Sequence, residues 1–378
     1  MYAEKSIKRQ LQRETNFIPP YCPNHKCSFH SSGHKKLIFF HRHGTKKLKR
    51  FPYLSYRFRC KKCRRSFASS YFRLDYKEKY WGFNEQIWNF HRLGVSKREI
   101  GRILCVSEHL VRIRLSKMAQ WSLLKHAKLI ENLKISEPIV YDGLENFSFS
   151  QYDPNNINHA IGKDSLFTYD FNFCPINRKG RMSERQVKRK KILEKVHGCY
   201  PIGAIRTSTT NLLRRLEERS EVLLLYTDCH FQYKRSINID LKDKKIKHIR
   251  ISSKIARNYK NHLFAVNNID LQARHNLAAF KRETIAFSKH SIAMVDSFIL
   301  YFTYRNYMRP KFWGTHRSDP FSSKKSPAME LKITRKILNF KDFFKERVPK
   351  THVNVNQDWK NFIERIDLFS RRTIALSA

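Results

Sequence analysis

Four cysteines in two close pairs set the first constraint on this chain. Cys22 and Cys27 stand in YCPNHKC as C-x4-C, and Cys60 and Cys63 stand in RCKKC as C-x2-C. Spacing of this kind places two thiolates on each of two tight turns, and four sulfurs presented that way suit tetrahedral zinc. His25, His30 and His34 are possible substitute ligands. The intervening KKLIFFHRHGTKKLKRFPYLSYRF alternates enough for strands, so residues 1–75 are expected to form a zinc ribbon. Bound metal would supply the folding energy that so thin a β-structure cannot draw from hydrophobic burial alone. Cys105, Cys174, Cys199 and Cys229 have no paired spacing and read as buried thiols.

The charge balance points to the partner. Among 378 residues, Lys plus Arg number 76 against 32 Asp plus Glu, a formal charge of +44. Such self-repulsion is best tolerated beside a polyanion, and nucleic acid is the commonest one. The basic residues are spread along the chain and interleaved with Tyr, Phe and His, which disfavours a clustered lipid anchor. A hydrophobic share of 41% excludes a disordered basic tail. The opening MYAEKSIKRQLQRET is charged throughout, and no apolar run approaches the roughly 20 residues needed to span a bilayer. The expectation is a cytoplasmic, nucleoid-associated protein with no membrane contact, its thiols in a reducing compartment.

Residues 80–122 read as a helix-turn-helix. In NEQIWNFHRLG, Ile87, Trp88, Phe90 and Leu93 share a helical face that Gly94 ends. Ser96 caps a short second helix with Ile100 and Ile103, and Glu99 stands where a capping box needs it. CVS is the turn, and Ser107 caps a third helix. Glu108, His109, Arg112, Arg114 and Lys117 are the residues this helix would offer to the major groove.

From about residue 135 the pattern changes to short β-branched and aromatic runs. SEPIVYDGLENF is a strand with Asp142 at its exit, and EVLLLYTDCHFQY is a buried strand ending in Asp228. DSLFTYDFNF and KHIRISSK are two more strands. Acids just past strand ends collect at the carboxyl edge of a sheet, where functional residues of α/β folds lie. Carboxylates that close repel unless a cation lies between them, and hard oxygen ligands call for Mg2+ or Mn2+. The stretch 264–290 has helical spacing and carries Asp270 and Glu283. Thirteen residues apart, these two cannot face one site, and Asp270 lies nearer the strand ends. Glu283 is the alternative third acid. NRKGRMSERQVKRKK, residues 177–191, is a basic insertion, either a solvated loop or a track for the DNA backbone.

Together the knuckles, the helix-turn-helix, YDGLE, YTDCH and ARHNLAAFKRETIAFSK resemble bacterial DDE-type insertion-sequence transposases, nearest the insertion-sequence-one branch, over roughly residues 20–305. The resemblance implies an α/β multidomain chain: zinc ribbon, helix-turn-helix, and a ribonuclease H-like mixed-sheet catalytic domain at residues 135–305. It matches Asp142 and Asp228 to the first two metal-binding aspartates. The family's third acid is a glutamate, and ungapped counting from FSK lands on Asn267, which has no charge to offer. Asp270, one turn on, would restore a triad. The family's activity is Mg2+- or Mn2+-dependent strand cleavage and transfer at terminal inverted repeats, by a homo-oligomer on transposon-end and target DNA, without a nucleotide cofactor. His230 and His248 could contact phosphate or metal. Residues 306–378 read as a linker and a helical appendage. A DNA-binding regulator with a catalytically dead sheet domain and a structure-selective nuclease are the alternatives.

Overall fold

The computed structural model describes residues 17–31, 38–47, 54–78, 82–281, 286–312 and 324–366. The chain divides into two compact units, residues 1–86 with 340–354, and residues 87–339 with 355–378. The helix-turn-helix and the large sheet therefore share a unit, and the expected boundaries around 80–122 and 306–378 do not separate compact bodies.

The first unit is built on a three-stranded antiparallel sheet of β1 (Phe40–Lys47), β2 (Leu54–Cys60) and β3 (Ser66–Ala68). Strand alternation sorts RFRC in β2, with Arg57 and Arg59 outward and Phe58 and Cys60 buried. Across the strands Phe58 pairs with Phe67 and Phe40 with Cys60. Tyr21, Phe39, Phe58, Phe67 and Phe72 pack with the cysteines into one small core. Segment 340–354 belongs to this unit: the Tyr21 hydroxyl donates to the Arg347 carbonyl at 3.1 Å, and the Arg347 guanidinium lies 4.7 Å from the Tyr71 ring centre.

In the second unit, counting helices longer than four residues, α1 (Asn84–Arg92), α2 (Lys97–Ile103) and α3 (Glu108–Leu129) follow the sequence signals closely. Gly94 turns at φ +83°, and a Cβ there would meet the Asn276 carbonyl oxygen at 2.6 Å. The side chains of Ser96 and Ser107 accept from the N–H groups of Glu99 and Leu110, capping α2 and α3. Ile87, Trp88 and Ile100 are buried, whereas Leu93 and Ile103, expected inside, are exposed.

The large sheet is mixed, in the order β6-β5-β4-β7-β8. Strands β4 (Ile139–Phe147), β5 (Pro154–Gly162) and β6 (Thr168–Pro175) form an antiparallel meander, and β7 (Leu223–Thr227) and β8 (Ile246–Arg250) run parallel to β4. Between β6 and β7 come α4 (Glu184–His197) and α5 (Ala204–Glu217), with α6 (Phe231–Arg235) after β7. The basic insertion is a loop over 177–183 and a helix from Glu184 on, begun by the capping box of Ser183 and Gln186, and none of α4 is buried. The single long helix expected over 264–290 is broken: α7 (Phe264–Asn276) stops where Leu277 turns extended, and α8 (Ser291–Tyr307) starts afresh. Glu283 lies outside the described residues.

The tail corrects the expectation of an appendage. In α9 (Gln357–Glu364), the Trp359 indole N–H donates to the Phe171 carbonyl of β6 at 3.0 Å, and Phe362 stacks on the Phe171 ring at 5.6 Å. Arg215 joins Asp170 on β6 to Asp358 on α9 through contacts of 2.8 and 2.9 Å. Trp359→Ala should therefore cost about 3–5 kcal/mol of stability. A melting curve that matches the unmodified protein would place the tail outside the core.

Candidate functional site

The four cysteine sulfurs of the first unit meet. Their Sγ atoms lie within 4.8 Å of one another, the one such group of metal-ligating atoms among the described residues. Cys22 and Cys63 are 3.6 Å apart and Cys27 and Cys60 are 3.8 Å apart. Tetrahedral zinc with Zn–S bonds of about 2.3 Å sets its sulfurs about 3.8 Å apart, so the group fits that ion. Local turns make the geometry. The Cys27 N–H donates to the Asn24 carbonyl at 3.0 Å, the Arg64 N–H to the Cys60 carbonyl at 3.1 Å, and Arg64 takes φ +59°. Burial opposes ionisation of Cys63, but donors from Arg65 and Asn24 outweigh it and bring the thiol down to about 7. Cys22 and Cys27 are pushed up by burial.

None of the candidate histidines joins this group. His25 is exposed, and His30 spends its ring nitrogens on the Cys22 carbonyl, at 2.7 Å, and the Thr351 hydroxyl. His34 lies outside the described residues. Of the other cysteines only Cys174 is buried; Cys105, Cys199 and Cys229 are exposed, because each stands in a turn or loop rather than on a core-facing position.

In the second unit, three acids come from three elements. Asp142 sits within β4 rather than at its exit, because antiparallel pairing with β5 carries the strand on to Phe147. What ends near it is the parallel pairing with β7, in which Val140 faces Tyr226. Two places further along each chain come Asp142 and Asp228. Asp228 is fixed by the His230 N–H, which donates to its Oδ1 at 2.9 Å. Asp270 projects from α7.

Electrostatics ties the three together. The Asp142 carboxyl is pushed up to about 7, first by burial and then by the charges of Asp270 and Asp228, against the pull of the Gly143 N–H and of His159. The Asp142 Oδ1 also accepts from Gly143 N–H at 2.7 Å and the Tyr233 hydroxyl at 3.3 Å. The three carboxylates do not close to the spacing of the cysteine sulfurs. Asn267, half-buried on α7, brings no charge to the group.

One residue here went unread in the sequence. His159 on β5 pairs directly with Asp142, and its Nε2 lies 3.0 Å from the Asp270 Oδ1. PNNINHAIG does not look like a strand, since Asn and Pro disfavour sheets. It forms one because every residue is buried in the meander and its amides find partners: Asn158 donates to the Asn172 side chain at 3.0 Å and to the Ser208 hydroxyl at 2.9 Å. The two histidines singled out earlier serve local structure. His230 caps α6, and His248 bonds the Thr227 hydroxyl at 2.8 Å, its ring held down to about 4 by burial and the Arg250 charge.

On α3, Glu108, His109 and Arg112 are exposed, with Arg112 bonded to His109 at 2.8 Å and Arg98 paired to Glu108 at 3.1 Å. Arg114 is buried and Lys117 half-buried, so neither is offered to a groove in the way expected. The cause is the length of α3, 22 residues packed along α8, which turns the Val111, Arg114, Leu115 and Met118 side inward.

No protein-family model matches the chain, and comparison with curated proteins gives no match. Among the described residues no helix is long and apolar enough to cross a membrane.

A structural zinc contributes on the order of 10 kcal/mol to folding of so small a unit. Removing it with a strong chelator, or by Cys60→Ser, should abolish a one-per-chain zinc content and unfold the first unit. Retention of full zinc by Cys60→Ser would contradict the four-sulfur site.

Proposed function

We propose that the chain is a DDE-type DNA transposase that binds the ends of its own element and cuts and joins strands with Mg2+ or Mn2+. The observation that carries this is the gathering of acids at Asp142, a half-buried strand residue whose cross-strand neighbour His159 lies 3.0 Å from Asp270 and whose ionisation is opposed first by burial and then by the charges of Asp270 and Asp228. Enzymes place such groups where charge must be handled, and a cluster of acids is a seat for cations. The mixed sheet supports a ribonuclease H-like domain. The +44 charge and the exposed Arg112 of α3 support DNA as the partner, and the four-sulfur site supports a zinc ribbon.

In this reading Asp142, Asp228 and Asp270 hold the ions. When bound, a pair of divalent ions activates the attacking oxygen and stabilises the leaving 3′-oxygen. The chain's own part is positioning. The His230 N–H holds Asp228 in one orientation, the Gly143 N–H and Tyr233 hydroxyl hold Asp142, and α7 sets the approach of Asp270. Both transposon ends must be cut in concert, so the active form is a homo-oligomer on DNA.

The test is cleavage and joining of a duplex carrying the sequences that flank the reading frame. Asp142→Asn, Asp228→Asn and Asp270→Asn should each lower the rate at least about 100-fold, the scale of losing a group that stabilises charge in the transition state, while leaving DNA binding intact. Glu283→Gln should leave the rate unchanged. Binding without cutting by the unmodified protein in either metal would favour the regulator. Arg112→Ala should weaken DNA binding about 10-fold and reduce its salt slope by about 1. Arg114→Ala should act on thermal stability instead; equal effects of both on binding alone would overturn the assignment of the α3 face.

A further inference from the structure

The excursion of residues 177–200 takes no part in the acid site, yet it leaves the sheet at the same edge. Pro175 ends β6 opposite Asn155, and Asn155 lies opposite Asn146, so the chain departs at the edge toward which β4 runs past Asp142. A clasp closes its foot. The Asn177 side chain donates to the Tyr200 carbonyl at 2.8 Å and accepts from the Tyr200 N–H at 3.0 Å, and the Tyr200 hydroxyl donates to Asp153 at 2.7 Å. Burial lowers the proton affinity of the His230 ring first, and the charges of Asp228, raising it, and of Lys179, lowering it, both reach that ring. A duplex engaged at the acids would meet this foot.

Helix α4 rises from it with no residue buried. At about 100° per residue its exposed positions share one side. Arg185, Arg189, Ile192 and Val196 form a stripe at i, i+4, i+7 and i+11, and Lys188, Lys191 and Lys195 form a row along one flank. Glu184, in the first turn, is the one acid on this side. The opposite side, with Val187 and Leu193, is half-buried, and there Lys190 pairs with Glu194 at 3.5 Å. Ile192 and Val196, 53% and 67% exposed, stand one turn apart beside the cations, where a face that meets only water has no use for them. Two β-branched side chains are too few to anchor a helix in a lipid interface, which takes a broad apolar face. The major groove of B-DNA, about 12 Å wide, admits a helix of about that diameter. It offers guanine O6 and N7 to arginine, thymine methyl groups to apolar side chains, and a row of phosphates along each wall.

We propose that α4 is a second DNA-binding helix, lying in the major groove of duplex DNA with the Arg185, Arg189, Ile192 and Val196 stripe toward the bases and Lys188, Lys191 and Lys195 on one phosphate strand. The inference rests on DNA being the partner, one part of the function proposed above, and not on the acids holding a metal or cutting a strand. The lysine row supplies affinity that is indifferent to sequence, and the stripe supplies what sequence preference the helix has.

The experiment is equilibrium binding of the full-length, zinc-loaded protein to a random-sequence duplex and to the duplex flanking the reading frame, across a salt series, with dimethyl sulfate probing of guanine N7. The triple variant Lys188→Ala, Lys191→Ala, Lys195→Ala should bind both duplexes about 100-fold more weakly near 0.1 M salt, with a salt slope reduced by about 3. Lys188→Arg, Lys191→Arg, Lys195→Arg should keep both, since the charges remain. Arg185→Ala with Arg189→Ala should uncover a set of N7 positions that Arg112→Ala leaves protected. All these side chains are exposed, so each variant should melt with the unmodified protein. Unchanged affinity and slope in the lysine-to-alanine variant overturn the inference and leave the transposase reading standing. An N7 pattern untouched by the arginine changes takes α4 out of the groove and overturns it too. Loss of binding to anionic phospholipid vesicles in the alanine variant, with DNA binding kept, gives the face to a membrane instead. No DNA binding by the unmodified protein removes both this inference and the transposase.

Discussion

Strand β4 is held unequally on its two sides. Along β5 it pairs for its whole length, from Ile139 to Phe147; along β7 it pairs only at Ile139 and Val140. Beyond Val140 the pairing of β4 with β7 ends, with Asp142 two residues further along β4 and Asp228 just past the end of β7. The acids draw their donors from neighbouring groups: Asp142 from the Gly143 N–H and the Tyr233 hydroxyl, and Asp228 from the His230 N–H. Helix α7 adds a third acid and β5 an imidazole. The sheet unit keeps these groups near each other at an electrostatic cost, which shows in the raised proton affinity of Asp142.

How far the sequence carried depended on whether a signal was local. The knuckles were legible because Cys22–Cys27 and Cys60–Cys63 each sit on one turn, and turn geometry is set by neighbours in the chain. Ser96, Ser107 and Gly94 were legible for the same reason, through capping and a positive φ. The β7 strand with Asp228 behind it announced itself as an apolar run closed by an acid. Strand β5 did not, because burial of PNNINHAIG is decided by partners on β4, β6 and α5 that no window of sequence contains. With β5 hidden, His159 was invisible too. Trp359 escaped because its partner, Phe171, lies 188 residues away.

Arg114 shows a different failure. A basic residue on a helix that begins at an exposed Ser cap reads naturally as a DNA contact. Here α3 runs 22 residues, long enough to lie along α8, and the side that carries Arg114 is the side that packs. Periodicity identifies a helix, but which of its faces turns inward is set by what covers it. Arg112 and His109, two and five positions earlier, remain on the open face.

The central claim is that the acids hold a divalent ion, and the most direct measurement is anomalous X-ray scattering from crystals grown with zinc and soaked in Mn2+. The account predicts zinc among Cys22, Cys27, Cys60 and Cys63 and manganese within bonding distance of Asp142 and Asp270. Zinc at the cysteines with no manganese at the acids would contradict it.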